Sequence, residues 1–259
     1  MADKLAIITG ASTGIGFELA SIAAEQGYDL VVVADEPLID AAAADFRGHG
    51  VEVTSVEADL ATFQGVDQLL SACDGRQIDV LCANAGSGHG GPFLDQSVDS
   101  WHHTVDTNIT GTIYLLQKVL PNMLRRNNGK ILVTGSIAGY VPGSFNAVYN
   151  GTKSFVDNFT EALRNEIKDA EGVTLTTLMP GATETEFFAR ADMLDTKVGK
   201  AEKADPAKVA RDGWDAMMEG KGSIVSGWFN KLQVAAAGVA PQSVMAEMHR
   251  KMAEPNRED

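Results

Sequence analysis

The 259 residues, 44% of them apolar, carry a formal charge of -14 and suit one large soluble domain or two small ones. That charge excludes nucleic acid as a partner, because phosphate contacts need clustered Lys and Arg, and it argues against an anionic membrane surface. No apolar stretch approaches the roughly 20 residues that span a bilayer, and Cys73 and Cys82 are too few for a disulfide framework or a metal site.

The chain start runs straight into a strand and a glycine loop and leaves no room for a signal peptide, so a reducing cytoplasm is the expected compartment. In chain order, 5–9 reads as a strand, 14–26 as an amphipathic helix, 29–34 as a strand and 38–47 as an alanine-rich helix. A strand over 51–56 precedes a helix with Val66, Leu69 and Leu70 on its buried side, and 78–82 is the next strand, ending in Cys82 as a small core residue. Two long helices, 100–126 and 148–170, flank a strand over 130–134, and 173–179 is a further strand. Strands without in/out alternation, separated by helices, predict a single-domain doubly wound Rossmann fold: an α/β chain with a parallel β-sheet and helices on both faces. The segment 183–204 is rich in charge and glycine and lacks periodicity; it reads as a loop or short helices hinged on the core, a lid over the site. The final nine residues read as a frayed tail. Trp228-Phe229 and the apolar run 234–240 are expected to be sheltered, in the core or by a partner.

Thr9-Gly10-Ala-Ser12-Thr13-Gly14-Ile15-Gly16 follows the first strand and opens the first helix, where backbone N–H groups can face a pyrophosphate. Gly10 allows the tight turn, Gly14 a close approach by phosphate, and Gly16 close helix–strand packing. Asp35 ends the second strand, where a carboxylate can accept both ribose hydroxyls of adenosine. The same charge, with Glu36 beside it, repels a 2′-phosphate, and neither Thr13 nor the segment after Asp35 supplies a base to bind one. NAD is favoured over NADP.

Tyr149 and Lys153 stand one helical turn apart, with Ser136 upstream. A Lys⁺ on the same helix face favours phenolate over phenol, which suits a tyrosine that exchanges a proton with an alcohol. The ordered series Thr-Gly-x-x-x-Gly-x-Gly at 9–16, Asp59-Leu60, Asn84-Ala85-Gly86, Asn108, Ser136, Tyr149-x-x-x-Lys153 and Pro180-Gly181 with Thr185 resembles the classical short-chain dehydrogenase/reductase family. A second asparagine, frequent before Asn84 in that family, is absent: Cys82-Ala83 stand there.

The resemblance implies an NAD-dependent oxidoreductase that interconverts a secondary alcohol and a ketone. It assigns Asp59 to the adenine amino group with Leu60 beside it, and Asn84, Ala85 and Gly86 to the adenosine ribose and the central sheet. It gives Pro180, Gly181, Thr183 and Thr185 to the nicotinamide carboxamide. Asn108, Ser136, Tyr149 and Lys153 match the family's catalytic tetrad, in which Asn108 holds a water that links Lys153 to solvent. Ser136, at the carboxyl end of its strand, can donate to a carbonyl oxygen as charge develops there. Homodimers or homotetramers built on the two long helices are implied as well, with Ile109, Ile113, Leu116, Leu120, Phe155 and Phe159 as candidate contacts.

His89, His102 and His103 lack ligand spacing and a carboxylate partner, so no metal is expected, and His89 is a candidate neighbour of substrate. Phe93, Val141, Phe145, Phe187, Phe188, Met193 and Leu194 are candidate walls for an apolar alcohol or ketone. The rival readings are a non-catalytic dinucleotide-binding regulator or scaffold, an NADP-dependent carbonyl reductase, and an epimerase or dehydratase of the kind found in longer relatives.

Overall fold

Every residue of β1 (Leu5–Thr9) and β2 (Asp29–Ala34) is buried, which is why neither strand alternates apolar with polar side chains. Ala6 and Ile8 point into one layer, Leu5 and Ile7 into the other, as in a sheet covered on both faces. In the computed structural model, which describes residues 4–255, these strands join β3 (Val53–Glu57), β4 (Ile78–Ala83), β5 (Gly129–Thr134), β6 (Val173–Met179) and β7 (Ser223–Val225). All neighbours run parallel in the order β3-β2-β1-β4-β5-β6-β7. The order reverses between β1 and β4, so the carboxyl ends of these strands open a crevice of the kind where ligands of such sheets bind. The doubly wound Rossmann fold is the fold observed.

The helices are α1 (Gly14–Glu25), α2 (Leu38–Arg47), α3 (Phe63–Ser71), α4 (Val98–Val105), α5 (Thr112–Arg126), α6 (Ala147–Glu166), the one-turn α7 (Phe187–Arg190) and α8 (Lys197–Lys200), α9 (Pro206–Met218), α10 (Trp228–Ala237) and α11 (Gln242–Ala253). Leu19, Phe46 and Trp214 bring α1, α2 and α9 onto one face of the sheet. Leu69, Leu116, Met123 and Val156 bring α3, α5 and α6 onto the other. Cys73 and Cys82 are buried and free.

Several elements differ from the sequence reading. The expected single helix over 100–126 starts at Val98 and is interrupted by a π-helical turn, Asp106–Gly111. Its cause lies in packing: Asn108 is only 1% exposed, and at Gly111 a Cβ would collide with the Leu60 carbonyl. The helix expected over 148–170 ends at Glu166. β7 is a three-residue edge strand, too short to leave a period in the sequence.

At the C-terminal end, Trp228 is 74% exposed and Phe229 59% exposed, and Val239 within 234–240 is exposed too. Burial of this segment in the chain's own core is thereby corrected. Nor is the end of the chain frayed throughout, because α11 carries it to a buried Ala253. Residues 1–3 and 256–259, on which the reading of the start and of the tail partly rests, lie outside the described residues. Among the described residues no helix is long and apolar enough to cross a membrane.

Trp214 is fully buried between the layers, its ring edge-on to Tyr28 with centroids 5.9 Å apart, and its indole N–H has no hydrogen-bond partner among the described residues. Trp214→Ala is expected to cost about 3–5 kcal/mol of stability in urea unfolding. Trp214→Phe should cost markedly less, since no hydrogen bond is lost with the indole.

Candidate active site

The glycine loop takes its shape from contacts that leave no room for side chains. Gly10 and Gly14 adopt positive φ, +65° and +58°, and the Gly10 N–H donates to Val33 O at 2.8 Å, tying the loop to β2. A Cβ on Gly16 would strike the Gly10 carbonyl and approach Asn84 Nδ2 to 2.6 Å, so helix and strand meet backbone to backbone. Thr13 caps α1 without a side-chain hydrogen bond, and the first turn of α1 holds no acidic residue. The amides at its N-terminus, around Ile15 and Gly16, are thus available to an anion. Asp35 is exposed at the end of β2. These features fit a dinucleotide: a cradle of backbone N–H groups and a carboxylate one strand away.

Asn84 and Thr9 hold the crevice together. Thr9 Oγ1 accepts from the N–H groups of Asn84 and Ala85, each at 2.9 Å. Asn84 Nδ2 donates to Thr9 O at 3.1 Å, and Asn84 Oδ1 accepts from Thr134 Oγ1 at 3.0 Å. The Asn84 side chain therefore binds the ends of β1, β4 and β5 together. Asp59 is exposed and accepts from Ala61 N at 2.8 Å, while the Leu60 side chain is buried. Pro180 O accepts from Ile137 N at 3.1 Å and from Ser136 Oγ at 3.4 Å, which brings Pro180-Gly181 beside Ser136. Thr183 Oγ1 donates to Gly181 O at 3.0 Å, and the Thr185 methyl carbon lies 2.7 Å from where a Gly14 Cβ would stand.

Asn108, Ser136, Tyr149 and Lys153 come together at the carboxyl ends of β4 and β5. Ser136, in the turn after β5, stands close enough to Tyr149 to ease the ionisation of its phenol, while its own hydroxyl donates to Pro180 O. Lys153 Nζ donates to Thr134 O at 2.8 Å and lies 5.8 Å from the centre of the Tyr149 ring. Asn108 Oδ1 and Lys153 Nζ both border Gly86, at 3.3 and 3.4 Å from its Cβ position. The Asn108 amide nitrogen donates to Ser87 O at 2.8 Å and Thr152 Oγ1 at 2.9 Å, and its oxygen accepts from Ser87 N at 2.8 Å. The π turn thus presents Asn108 to the sheet end, where a regular helix read from the sequence leaves it undefined.

Burial dominates the electrostatics. It pushes the Tyr149 phenol up to about 12, opposed by the nearby Ser136 hydroxyl and reinforced by the Asp157 carboxylate. It brings the Lys153 ammonium down to about 8, against the pull of Asp157. Lys153 alone therefore does not depress the phenol as the sequence spacing suggests: its ammonium is turned to Thr134 O, and the low-dielectric setting penalises both charges. Asp157 lies one turn beyond Lys153 on the same face, a spacing that could have revealed it.

The segment 183–204 is pinned at its ends by a parallel bridge between Thr183 and Ala204. Phe188, Ala191 and Met193 pack with Ala253 of α11, so two of the candidate wall residues, Phe188 and Met193, are interior to the segment. Phe187 faces Tyr149, ring centres 5.0 Å apart, and Gly88 packs against both rings. Phe93 and Leu194 are exposed.

Arg190 is a residue the linear reading did not place. Its guanidinium pairs with Glu36 at 2.7 Å, and Glu36 also accepts from Ser12 Oγ at 2.5 Å. These two partners, Ser12 foremost, hold Glu36 below the usual carboxylate range. A base does therefore reach the end of β2, from 154 residues downstream. His102 and His103 also have carboxylate neighbours, Asp106 at 3.2 Å and Asp59 at 4.0 Å.

Comparison with known proteins agrees with this geometry. Residues 4–194 match the family described as short chain dehydrogenase. An uncharacterized oxidoreductase of Staphylococcus epidermidis is 30% identical over 210 residues, covering 80% of this chain and 90% of the relative. A short-chain dehydrogenase from Sphingobium yanoikuyae, solved with NADPH, superposes with a TM-score of 0.82 at 28% identity, covering 94% of this chain and 96% of that one. A short chain dehydrogenase/reductase from Burkholderia phymatum, solved with NAD, gives 0.81 at 25% identity, covering 91% and 94%.

Because a methyl at Gly16 meets main-chain atoms that cannot rotate away, Gly16→Ala is expected to destabilise the fold by about 1–3 kcal/mol, measured by urea unfolding.

Proposed function

The chain is an oxidoreductase of the short-chain dehydrogenase family, and from that premise we propose that it interconverts a secondary alcohol and a ketone by hydride transfer to or from NAD(H). The observation that carries this reading is the gathering of Ser136, Tyr149 and Lys153 at one end of the sheet, with Lys153 Nζ 5.8 Å from the centre of the Tyr149 ring, beside a glycine loop whose helix start has no side-chain cap. Gly10, Ser12, Thr13, Gly14, Ile15 and Gly16 receive the pyrophosphate, Asp35 the adenosine ribose, Asp59 and Leu60 the adenine, and Asn84, Ala85 and Gly86 line the crevice. Pro180, Gly181, Thr183 and Thr185 hold the carboxamide. The bound cofactor supplies the hydride acceptor or donor.

Ser136 Oγ donates to the substrate oxygen and steadies the charge that develops on it. Tyr149 takes the hydroxyl proton during oxidation and returns one during reduction. A phenol held up near 12 is a poor base at neutral pH, so its activation falls to Lys153 and to the positive charge that the oxidised cofactor brings. Phe187, against the Tyr149 ring, bounds the substrate on the side of the 183–204 segment, which acts as a lid. An apolar alcohol or ketone suits this wall.

NAD is the cofactor this reading favours, because Asp35 and Glu36 together place two carboxylates where a 2′-phosphate would lie. One observation supports NADP instead: Arg190 is within reach of the same place, although Glu36 engages it. The protein is further taken as cytoplasmic and as a homodimer or homotetramer. Phe155 on α6 is 40% exposed and stacked on Phe159, and Ile109 and Ile113 are half-buried, which leaves apolar surface on the two long helices for a second copy. Leu116 and Leu120, by contrast, cover the sheet.

Tyr149→Phe is expected to lower turnover by about 10²–10⁴-fold while NADH still binds, read by NADH absorbance on an alcohol and ketone panel and by fluorescence titration. Turnover at the wild-type rate would refute the mechanism. Asp35→Ala should weaken NADH by roughly tenfold and narrow the gap to NADPH in the same titration.

A further inference from the structure

Asp157 is a buried acid that the reaction scheme leaves unused. It stands on α6, four residues after Lys153 and eight after Tyr149, on the face turned to the site. Both carboxyl oxygens are fully buried, and neither closes a hydrogen bond of full geometry among the described residues. Two glycines of the turn that carries Ser136 make space for them. A Cβ on Gly135 would collide with Asp157 Oδ1, and one on Gly139 would come within 2.5 Å of Oδ2. The turn offers the carboxyl little in return. The amides of Gly135, Ile137 and Gly139 donate to Leu178 O, Pro180 O and Ser136 O, and that of Ala138 to Ser136 Oγ. Among the described residues the Ser136 N–H closes no hydrogen bond elsewhere, and it favours the Asp157 carboxylate.

A buried carboxyl without partners is costly, and an apolar residue of similar size would satisfy packing at this position more cheaply. What faces it explains its presence. The titratable groups around it are Lys153 and Tyr149 on α6 and Tyr140 in the turn. Of these, Lys153 alone carries a positive charge. Its ammonium is held on Thr134 O, the residue before the Gly135 that the Asp157 carboxyl abuts, so the two groups meet the same stretch of backbone without closing an ion pair.

We propose that Asp157 is a positioning residue of the catalytic cluster, wedged behind the Ser136 turn, whose carboxylate is the counter-charge that keeps Lys153 an ammonium. The role rests on the dehydrogenase reading, because a charged Lys153 matters there for ribose binding and for the phenolate. Burial brings Lys153 down to about 8 and raises Asp157 to about 7. The two groups therefore titrate as a coupled pair, at and just above neutrality. With Asp157 ionised, Lys153 holds its proton to higher pH. With Asp157 neutral or removed, burial acts on Lys153 without opposition. The same carboxylate disfavours the Tyr149 phenolate, so it supports the lysine at some expense to the tyrosine.

The test uses the full-length protein without cofactor, its lysines labelled with ¹³C at Cε, and follows the Lys153 resonance from pH 5 to 11. Lys153→Met identifies the signal. In the wild type the resonance should titrate in two steps, a small one near neutrality from Asp157 and a large one from its own proton. In the near-isosteric Asp157→Asn the small step should vanish and the large one move down by about one pH unit. A single step in the wild type, or an unchanged Lys153 midpoint in folded Asp157→Asn, overturns the proposal; should that variant not fold, the wild-type titration decides. Because no turnover is read, loss of the dehydrogenase reading and loss of the Asp157–Lys153 coupling are separate results.

Discussion

Thr134 closes β5 with two bonds that join the halves of the site. Its hydroxyl donates to Asn84, which grips the glycine loop through Thr9 O, and its carbonyl accepts the Lys153 ammonium. One residue thus fixes the distance between the phosphate cradle and the proton-transfer helix. Because the parallel register of β1, β4 and β5 delivers all the partners to the same sheet end, the arrangement follows from strand pairing and needs no long-range search of loop conformations. The Pro180 carbonyl extends the chain of bonds to β6 by accepting from Ser136.

Around that frame the interior is unkind to charge. Tyr149, Lys153 and Asp157 are each displaced by burial toward their neutral forms. Protonation states in such a cluster are set by neighbours within a few ångströms, because solvent no longer screens them. A single added positive charge would favour the phenolate and the carboxylate together and oppose the ammonium. The cluster is therefore poised to respond to whatever ionic ligand enters the crevice.

Much of this was legible in the sequence. The strand 173–179 and the helix 38–47 have the boundaries the apolar pattern gives, with Pro180 ending the strand and Pro37 and Gly48 flanking the helix. The glycine loop and the Tyr149–Lys153 spacing were legible because local geometry forces their roles. The contacts that escaped are those made across the fold. Arg190 meets Glu36 only after the chain has wound back over the sheet. Asp157 looks like one more polar helix residue until Gly135 and Gly139 are seen to enclose it. The exposure of Trp228 and Phe229 runs against their hydrophobicity, and composition alone has no means of indicating it.

The π turn at Asp106–Gly111 has a consequence for how the chain tolerates change in length. A π turn accommodates one residue more than the α-helix it interrupts, so α4 and α5 are out of phase by one residue, about 100° about the helix axis. Deleting a single residue there would restore a regular helix and rotate one segment against the other. Asn108 would swing away from Ser87 and Thr152, and α4 would turn a different side to its neighbours. The same deletion in an exposed surface loop would pass almost unnoticed. The extra residue acts as a phase setting for the whole 98–126 rod, and the rod's two faces are meaningful only together with it.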